Sequence, residues 1–367
     1  MSISAKPDLA FTKALPKVEL HAHLTGSISK QCLHDIWLAK ISADAGLALE
    51  DPLIAIPSVK DGGIDVVSFF PIFDRYIYAL VCDEESIRHA TASVLQDFAD
   101  DGVCYVELRT TPRVIATAGI NKEGYVSIVL DAMDDFAASQ QNRLDADATG
   151  KEKKLHVKLI LSIDRKNTLQ EAMEVVALAA KYRDQGIVGI DLCGNPTRKP
   201  ISHLSPAFAE AKRLGLGITV HFAEMPQDGS EELEMMLEWQ PQRLGHVIHV
   251  PQDVKTVIAE RQLGLELCLS CNVLCKLSRG GFEAHHFGEW WTAGGKIALS
   301  TDDVGIFESS LSEEYAFVAK HFGLNREQLW DLSRGAVDVV FGDREEKERV
   351  WRLMDKFWEQ EGRRERT

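Results

Sequence analysis

The feature that most constrains the fold is a rhythm that repeats eight times along the chain. In each repeat, a short apolar run is followed by a polar or glycine turn and then by a segment with helical periodicity. The eight apolar runs are Val18–Thr25, Cys104–Thr111, Val157–Asp164, Val188–Gly194, Ile218–Glu224, Arg243–His249, Leu263–Asn272 and Ile297–Asp303. Apolar runs that alternate with helices are typical of buried parallel strands. Eight such strands close a barrel, so we predict an α/β fold with a (β/α)8 TIM-type barrel, and an open doubly wound sheet is the alternative.

The segments between the runs are interpreted as helices. Between Leu169 and Gly186, the apolar residues Leu169, Met173, Val176 and Ala180 are spaced by three or four positions, which predicts one apolar helix face that ends at the glycine.

Two longer segments extend this pattern. Residues 28–100 exceed what one connecting helix needs, and we predict that they form an insertion of helices that acts as a lid over the C-terminal face of the barrel. The part from Asn325 onward is predicted to form terminal helices. We interpret residues 1–367 as a single domain, since barrels with insertions reach this length.

Composition narrows the class of protein and its partners. The formal charge of −15 at pH 7 disfavours nucleic acid, because phosphate backbones are bound by basic surfaces. Seven scattered cysteines argue against a disulfide framework and favour a reducing compartment, so we expect a cytoplasmic or nucleocytoplasmic protein. The chain contains no apolar run that could span a membrane, and its first residues lack the apolar core of a secretory signal. We therefore expect neither a nucleic-acid nor a membrane partner, and we expect a monomer.

Histidines gather at the C-terminal ends of the predicted strands, and in a barrel these ends form one face. The first run contains His21 and His23, and residues two apart in a strand point to the same side. The fifth run contains His221, and the sixth contains His246 and His249, between which the spacing does not decide. Each histidine alone is explained more simply as a buried structural residue. Several at one face favour a metal site, and imidazole ligands suit zinc.

Acidic residues occupy the same strand ends. Glu224 is free to act as an acid or a base, and its alternative role is a favourable charge near a helix N-terminus. Asp302 and Asp303 end the eighth run, where two adjacent acids are costly to bury unless a positive charge faces them. Their alternative is a turn with two exposed aspartates. Taken with the histidines, these acids predict a mononuclear metal site with general acid–base groups beside it.

Two other groups invite a metal-binding hypothesis. Cys268, Cys271 and Cys275 are closely spaced, but no second pair of cysteines lies near them, so we interpret them as buried structural residues. The doublet His285 and His286 is interpreted as surface or lid. The H-x-E and P-C-x-x-C signature of another class of zinc deaminase is absent from the sequence.

Five motifs, taken together, resemble the adenosine/AMP deaminase family of the metal-dependent amidohydrolase superfamily. They occur in the family's order and cover nearly the whole chain: LPKVELHAHLTGS at Leu15–Ser27, GIDLCGNP at Gly189–Pro196, HFAE at His221–Glu224, RLGH at Arg243–His246 and STDD at Ser300–Asp303. The resemblance implies a purine aminohydrolase that binds one Zn²⁺ per chain. A hydroxide bound to this ion would attack C6 of the purine. The zinc ligands that it implies are His21, His23, His221 and Asp302.

The resemblance also implies the roles of the other site residues. Glu224 would donate a proton to N1 of the purine, because attack at C6 pushes electron density onto that nitrogen. His246 would be the base or the electrostatic partner that orients the hydroxide, and Asp303 would hold the hydroxide from the other side. The backbone N–H of Gly194 would bond purine N3.

Residue 25 separates subgroups within the family. Adenosine deaminases have an aspartate there that binds the ribose 5′-hydroxyl, and fungal-type adenine deaminases have a glutamate. In this chain the residue is Thr25, whose hydroxyl can donate to a 5′-phosphate. The neighbouring strand end supplies hydroxyls and two guanidiniums, those of Arg109 and Arg113, and arginine forks suit phosphate. This combination is similar to the adenosine deaminase-like subgroup that acts on N6-methyl-AMP. The alternatives are that either arginine only pairs with acids and that Thr25 only caps.

The subgroup resemblance implies a set of substrate-binding residues and a reaction. The set comprises His23, Thr25, Thr110, Thr111, Pro112, Arg113, Asp164, Gly194 and Asp303. The leading hypothesis is a deaminase that converts N6-methyl-AMP to IMP and methylamine. The alternatives are an adenosine deaminase that acts on the free nucleoside, a barrel that binds without turnover, and a hydrolase of amides or phosphate esters. Two features have effects that the sequence does not define: Val247, where the subgroup has glycine, and the lid motif Phe69–Leu80.

Overall fold

The chain folds into a parallel eight-stranded barrel in a computed structural model that describes residues 6–43, 46, 48–59, 71–146, 154–198, 200–226 and 229–364. The strands are β1 Lys17–His23, β2 Val103–Thr110, β3 His156–Asp164, β4 Ile187–Cys193, β5 Gly217–Phe222, β6 Arg243–His246, β7 Gly264–Leu267 and β8 Lys296–Leu299. Each strand pairs in parallel with the next one along the chain.

The barrel closes through the residues that follow β8. The backbone N–H of Asp302 donates to the carbonyl of His21 at 2.8 Å, and the N–H of His23 donates to the carbonyl of Asp302 at 2.9 Å. These bonds join the last strand to the first and leave no free sheet edge at this face. The predicted TIM-type barrel is confirmed.

Three strands end at least three residues before the apolar runs that predicted them, and the first of these is β8, which ends at Leu299 although its run continues to Asp303. β7 ends at Leu267, and the second half of the run 263–272 belongs to a short helix, Leu269–Leu274. A fully buried helix is as apolar as a buried strand, so this run carried no periodicity that separates the two. β6 ends at His246, three residues before the end of its run.

Helices surround the barrel and connect its strands. The α-helices are Leu9–Ala14, Lys30–Ala43, Pro52–Ala55, Tyr78–Leu80, Glu84–Asp100, Lys122–Ala146, Leu169–Lys181, Ser205–Arg213, Ser230–Glu238, Gln252–Arg261, Leu269–Leu274, Phe287–Thr292, Val304–Phe307, Leu311–Phe322, Arg326–Ala336 and Arg344–Arg364. Short 3₁₀ turns occupy Ala116–Ala118, Arg183–Gln185, Ser202–Leu204, Phe282–Ala284 and Val337–Val339. Among the helices of the described ranges, none combines the length and apolarity that crossing a membrane requires.

The helix Leu169–Lys181 buries a face that shares only Val176 with the predicted one. Leu169 and Met173 are 38% and 37% exposed, and a 3₁₀ turn carries the chain on to the predicted stop at Gly186. The face that packs on the barrel consists of Ala172, Val175, Val176, Leu178 and Ala179. The sequence pattern marked large apolar residues, whereas the packed face is built partly from alanines that fit closely against the strands.

The segment between β1 and β2 contains helices and a π-helical turn, Phe73–Ile77. The predicted insertion at 28–100 falls in this segment. Its residues 60–70, which include Phe69 and Phe70 of the lid motif, lie outside the described residues. The description of this segment as a lid within a single domain stays a prediction.

Alternation along β1 directs the polar residues to the inside of the barrel. Val18 and Leu20 pack in one apolar cluster with Val337 and other residues of the C-terminal segment. Between them, Glu19 accepts hydrogen bonds from the backbone N–H and the hydroxyl of Thr301, both at 3.0 Å. Because side chains alternate along a strand, His21 and His23 follow on the same inner side.

Candidate active site

Four side chains from three strand ends converge at the C-terminal face of the barrel. The Nε2 atom of His221 lies 3.2 Å from His21 Nε2 and 3.1 Å from His23 Nε2. The Oδ1 atom of Asp302 lies 3.6 Å from His21 Nε2 and 3.3 Å from His23 Nε2. Bonds of about 2.1 Å to one ion, at angles of about 90–110°, would separate ligand atoms by about 3.0–3.4 Å. The donor set and its spacing therefore fit a single metal ion.

A fifth candidate ligand, His246, stands beside this group. A set of ligand atoms that lie within 4.8 Å of one another contains His21, His221, His246 and Asp302. However, His246 Nε2 lies 3.9 Å from Asp302 Oδ2, whereas His23 Nε2 lies 3.3 Å from Asp302 Oδ1 and 3.1 Å from His221 Nε2. The distances favour His23 as the third imidazole ligand and His246 as a neighbour of the ion.

Buried acids hold two of the histidines in place from behind. The Nδ1 atom of His21 lies 2.5 Å from Glu266 Oε2, and His221 Nδ1 lies 3.2 Å from Asp191 Oδ1. Such contacts fix the ring orientation and leave Nε2 facing the metal position. The guanidinium of Arg109 joins the two acids, at 2.8 Å from Glu266 and 3.2 Å from Asp191. The guanidinium of Arg109 therefore lies in the barrel interior. The hypothesis that it binds a phosphate is wrong.

The pKa shifts of three of the four side chains suit metal binding; for His221, burial acts to lower the pKa, but the neighbouring Asp191 raises it above its ordinary value. Burial lowers the pKa of His21 well below its ordinary value, and the charge of Arg109 acts in the same direction. Burial also lowers the pKa of His23 to about 3. Burial by itself would raise the pKa of Asp302, but the surrounding imidazoles, led by His246, hold it below its ordinary value. Neutral imidazole and ionised carboxylate are the forms of these groups that bind a metal.

Backbone strain is concentrated at the strand ends that carry these groups. Four non-glycine residues there have positive φ: Ala223 at 51°, His246 at 65°, Val247 at 47° and Asp302 at 62°. This conformation is unfavourable for residues with a Cβ, and most of all for a β-branched one, and it clusters at functional sites. The side chain of Val247 is fully buried, and its N–H donates to the carbonyl of Phe222 at 3.1 Å. Valine thus occupies a conformation that glycine adopts without cost.

Three further groups face the same cavity: Glu224, His246 and Asp303. Glu224 is partly exposed, two residues after β5. Two buried atoms, His246 Nε2 and Asp303 Oδ1, make no hydrogen bond with any described residue. Burial, reinforced by the charge of Asp302, raises the pKa of Asp303 well above its ordinary value. Unpartnered buried polar atoms are costly, so these two are consistent with a site that a ligand completes.

The structure separates the two histidines near the end of β6. His246 lines the cavity, whereas His249 is turned away and its Nε2 lies 3.1 Å from the carbonyl oxygen of Leu277. The strand ends at His246, and the left-handed residues there redirect the chain.

Two glycines leave room for site side chains. A Cβ at Gly245 would lie 2.5 Å from Cε1 of His21, and a Cβ at Gly26 would lie 1.4 Å from Oδ1 of Asp303. Neither position can therefore accept a side chain unless the functional group moves.

We expect Gly245→Ala to weaken metal binding by about 10- to 100-fold, because the added methyl group displaces the His21 ring from its partner Glu266. The measurement is a competition titration with a chromophoric chelator. Gly335→Ala is the matched control, since a Cβ at that position meets nothing within 4 Å. Unchanged affinity in the Gly245→Ala protein would show that the ring is not constrained there.

The cavity above these groups has a volume of about 310 Å³, at the lower end of the range for small-molecule sites. Of the residues expected to bind substrate, the cavity is lined by His23, Thr25, Thr111, Asp164, Gly194 and Asp303. A Cβ at Gly194, whose φ is 98°, would lie 2.5 Å from Oδ1 of Asp164, so this turn depends on glycine.

Three of the expected substrate-binding residues do not line the cavity. The Thr110 hydroxyl is buried and lies 2.8 Å from the Tyr125 hydroxyl, and Pro112 is buried behind the wall. The guanidinium of Arg113 lies 4.7 Å from the ring centre of Tyr78 and donates to the carbonyl of Val81. Arg113 therefore connects the segment between β1 and β2 to the barrel, a contact that no sequence motif predicted.

Several lining residues were not anticipated. From the segment between β1 and β2 come Phe73, Asp74 and Tyr78, and the other walls add Lys166, Cys193, Asn195, Arg198, Cys271, Cys275, Leu277 and Phe307. The lid motif that contains Phe73 was a usable signal for the first group. The cations Lys166 and Arg198 lie in loops that carry no pattern of their own.

The cysteine and histidine clusters are closer to the site than we expected. All seven cysteines are free thiols, and Cys271 and Cys275 line the cavity as well as being buried. The Cys271 thiol lies 2.8 Å from Asp302 Oδ2. The expectation of a surface position for His285 is wrong, since it is 3% exposed, and the Nε2 of His286 lies 2.6 Å from the His246 carbonyl.

Comparisons with known proteins agree with this geometry. The profile of the adenosine deaminase family matches residues 16–357. The N6-mAMP deaminase of Arabidopsis thaliana is 35% identical over 357 residues, which cover 95% of this chain and 98% of that protein. The N6-methyl-AMP deaminase of Homo sapiens is 32% identical over 353 residues, covering 93% and 94% of the two chains. A solved structure of an ADAL–IMP complex has a TM-score of 0.85 and 33% identity, covering 95% of this chain and 98% of that one. The chain therefore belongs to the adenosine deaminase family, whose members are metal-dependent hydrolytic deaminases.

Proposed function

We propose that this protein is a zinc-dependent deaminase of N6-substituted adenine nucleotides, which converts N6-methyl-AMP and water to IMP and methylamine. The observation that carries the proposal is the composition of the cavity lining. Thr25 is neutral where an acid would repel a phosphate, and Lys166 and Arg198 line the same cavity. Relatives named N6-methyl-AMP deaminase, and a related structure with IMP bound, support the same substrate class.

Zinc is the ion that the donor set favours. Three imidazole nitrogens and one carboxylate oxygen, from His21, His23, His221 and Asp302, are typical zinc ligands. When bound, the ion would make a water molecule more acidic. The pKa of water falls from about 16 in bulk to about 7 when it is bound to zinc.

The other steps of the reaction would be carried out by side chains and backbone groups of the protein. Glu224, as the carboxylic acid, donates a proton to N1 while a C–O bond forms at C6. His246 and Asp303 orient the water oxygen from two sides, through the buried atoms Nε2 and Oδ1. The backbone N–H of Gly194 bonds N3. The C6–N6 bond then breaks. Of the two protons of the water, one leaves with the amine and the other restores the carboxylic acid of Glu224, so that the products are the 6-oxopurine nucleotide and methylamine.

The charges around the cavity make Lys166 and Arg198 important for binding a phosphorylated substrate. The whole chain carries a charge of −15, and the cavity wall includes the acids Asp74 and Asp164. Among the described lining residues, Lys166 and Arg198 are the only lysine or arginine side chains. Both are exposed, and Lys166 lies 3.2 Å from Asp164, whose charge it offsets. They therefore stand where a phosphate at the mouth of the cavity can reach them.

We expect Lys166→Met and Arg198→Met each to lower kcat/KM for N6-methyl-AMP by about tenfold, since a hydrogen bond to a charged group contributes about 1.5–3 kcal/mol and solvent screens part of it. Activity toward N6-methyladenosine should change little. Arg344→Met removes the same charge from a side chain that is 92% exposed on the C-terminal helix, and it serves as the control. Equal losses with nucleotide and nucleoside would contradict a phosphate contact.

The test of the proposed function compares four substrates with the zinc-loaded protein. Release of ammonia or methylamine is measured side by side from AMP, N6-methyl-AMP, adenosine and N6-methyladenosine. The proposal predicts turnover of the nucleotides, fastest with N6-methyl-AMP. A preference for the free nucleosides would make the protein an adenosine deaminase.

A further inference from the structure

A line of buried polar groups leads from the backbone of one helix to His246. The backbone N–H of Phe287 donates to His285 Nδ1 at 3.1 Å. On its other side, His285 Nε2 lies 3.1 Å from the side-chain amide of Asn272. The other end of that amide lies 3.0 Å from His246 Nδ1. His285, Asn272 and His246 are 3%, 0% and 1% exposed, so water does not compete along this line.

The direction of the first hydrogen bond is fixed, because a backbone N–H can only donate. His285 Nδ1 is therefore an acceptor and carries no hydrogen. A neutral imidazole has one N–H group, which must then lie on Nε2. Burial, together with the neighbouring His286, lowers the pKa of His285 well below its ordinary value, which keeps the ring neutral.

The hydrogen on His285 determines which way the Asn272 amide faces. In one orientation of the amide, Asn272 Nδ2 lies 3.1 Å from His285 Nε2 and Oδ1 lies 3.0 Å from His246 Nδ1. The N–H groups of Asn272 and His285 would then point at each other. Because this contact is buried, neither N–H group would have an acceptor, which is unfavourable. Turning the amide by half a turn exchanges its oxygen and nitrogen in nearly the same positions. Oδ1 then accepts from His285, and Nδ2 donates to His246 Nδ1.

We propose that His285 and Asn272 are positioning residues that hold neutral His246 with its hydrogen on Nε2. The atom that faces the cavity is then a donor, and it is the buried nitrogen that makes no hydrogen bond with any described residue. In terms of the proposed function, on which this step rests, His246 donates a hydrogen bond to the oxygen that adds to C6 and does not accept that oxygen's proton. The sequence left open whether His246 is a base or an electrostatic partner, and the hydrogen-bond line selects the second role.

The direct test is the hydrogen position in the zinc-loaded full chain. The protein is labelled with ¹⁵N-histidine, and two-bond ¹H–¹⁵N spectra are recorded, with the His246 signals identified by their loss in His246→Gln. The expected result is a protonated Nε2 and a bare Nδ1. A hydrogen on Nδ1, or on both nitrogens at neutral pH, would overturn the proposal. This result does not depend on turnover, so it is separate from the test of the proposed substrate.

Variants of Asn272 and His285 supply the functional test. Asn272→Asp can only accept from His246, so the hydrogen should move to Nδ1 and kcat should fall about tenfold or more, with zinc content and KM retained. His285→Gln keeps an N–H for Asn272 and should preserve the wild-type tautomer and rate, whereas His285→Leu should not. A wild-type tautomer and rate in Asn272→Asp would contradict the proposal. If these variants do not fold, the spectrum of the unmodified protein decides.

Discussion

Replacing Glu224 with glutamine is expected to lower kcat by about 100- to 10,000-fold, the range that a positioned general acid contributes. Glutamine keeps the size and most of the polarity of the side chain but cannot give a proton to purine N1. Glu224 lines the cavity, and it is not one of the four side chains whose ligand atoms converge. The variant should therefore retain its metal, and it should still bind the product IMP.

The experiment compares kcat, metal content and IMP affinity in Glu224→Gln and in a matched variant. Glu231→Gln makes the same chemical change at an exposed position seven residues further on, and it should behave like the unmodified protein. Wild-type kcat in Glu224→Gln would remove this residue from the proton-donor role. Loss of the metal would instead make it part of the ligand set.

Replacing Arg109 with methionine is expected to lower the free energy of unfolding by about 3–5 kcal/mol, because it removes the arginine that pairs with buried Asp191 and one of the two arginines that pair with buried Glu266, the other being Arg243. The guanidinium of Arg109 is fully buried between Glu266 and Asp191, and it also donates to the carbonyl of Leu20 at 2.6 Å. Both acids orient metal-binding histidines, so metal affinity should fall by about 10- to 100-fold as well. Urea unfolding followed by tryptophan fluorescence, and a metal titration, measure the two effects.

Arg88→Met is the control for this prediction. Arg88 also contacts several acids, at 2.9 Å from Glu84, 3.2 Å from Asp131 and 3.3 Å from Asp135, but its side chain is 33% exposed on the surface. Surface ion pairs contribute about 0–1 kcal/mol, so this variant should unfold almost as the original does. If Arg109→Met unfolded at the same urea concentration as Arg88→Met, the buried network would not be what organises the histidines.

The barrel was predictable because its strands are buried on both sides. Their apolar runs stand out against the turns and amphipathic helices, and eight of them leave few arrangements. The same signal failed where a helix is equally buried, as at Leu269–Leu274 beyond β7. It also failed to give the packed face of Leu169–Lys181, because small residues at that face fit the strands better than the exposed Leu169 and Met173.

The residues of the proposed metal site could be predicted from the sequence because each lies near or just beyond the C-terminal end of a strand. The choice between His246 and His249 was not, since it depends on where β6 stops and on the left-handed conformations of His246 and Val247. Arginines were the least predictable. Arg109 and Arg113 have the composition of a phosphate site, but one pairs with buried acids and the other contacts Tyr78. A guanidinium lies at the end of a long side chain, so its partner depends on which groups the fold brings within range.

The measurement that tests the central claim most directly is the metal content of the purified protein together with its deaminase activity before and after chelation. The four convergent side chains predict one zinc ion per chain, loss of N6-methyl-AMP turnover when it is removed, and recovery when zinc is returned. The double variant His21→Ala and His23→Ala should bind no metal and stay inactive after zinc is added. Full turnover by the metal-free protein, or metal retained by the double variant, would contradict a reaction that depends on these residues.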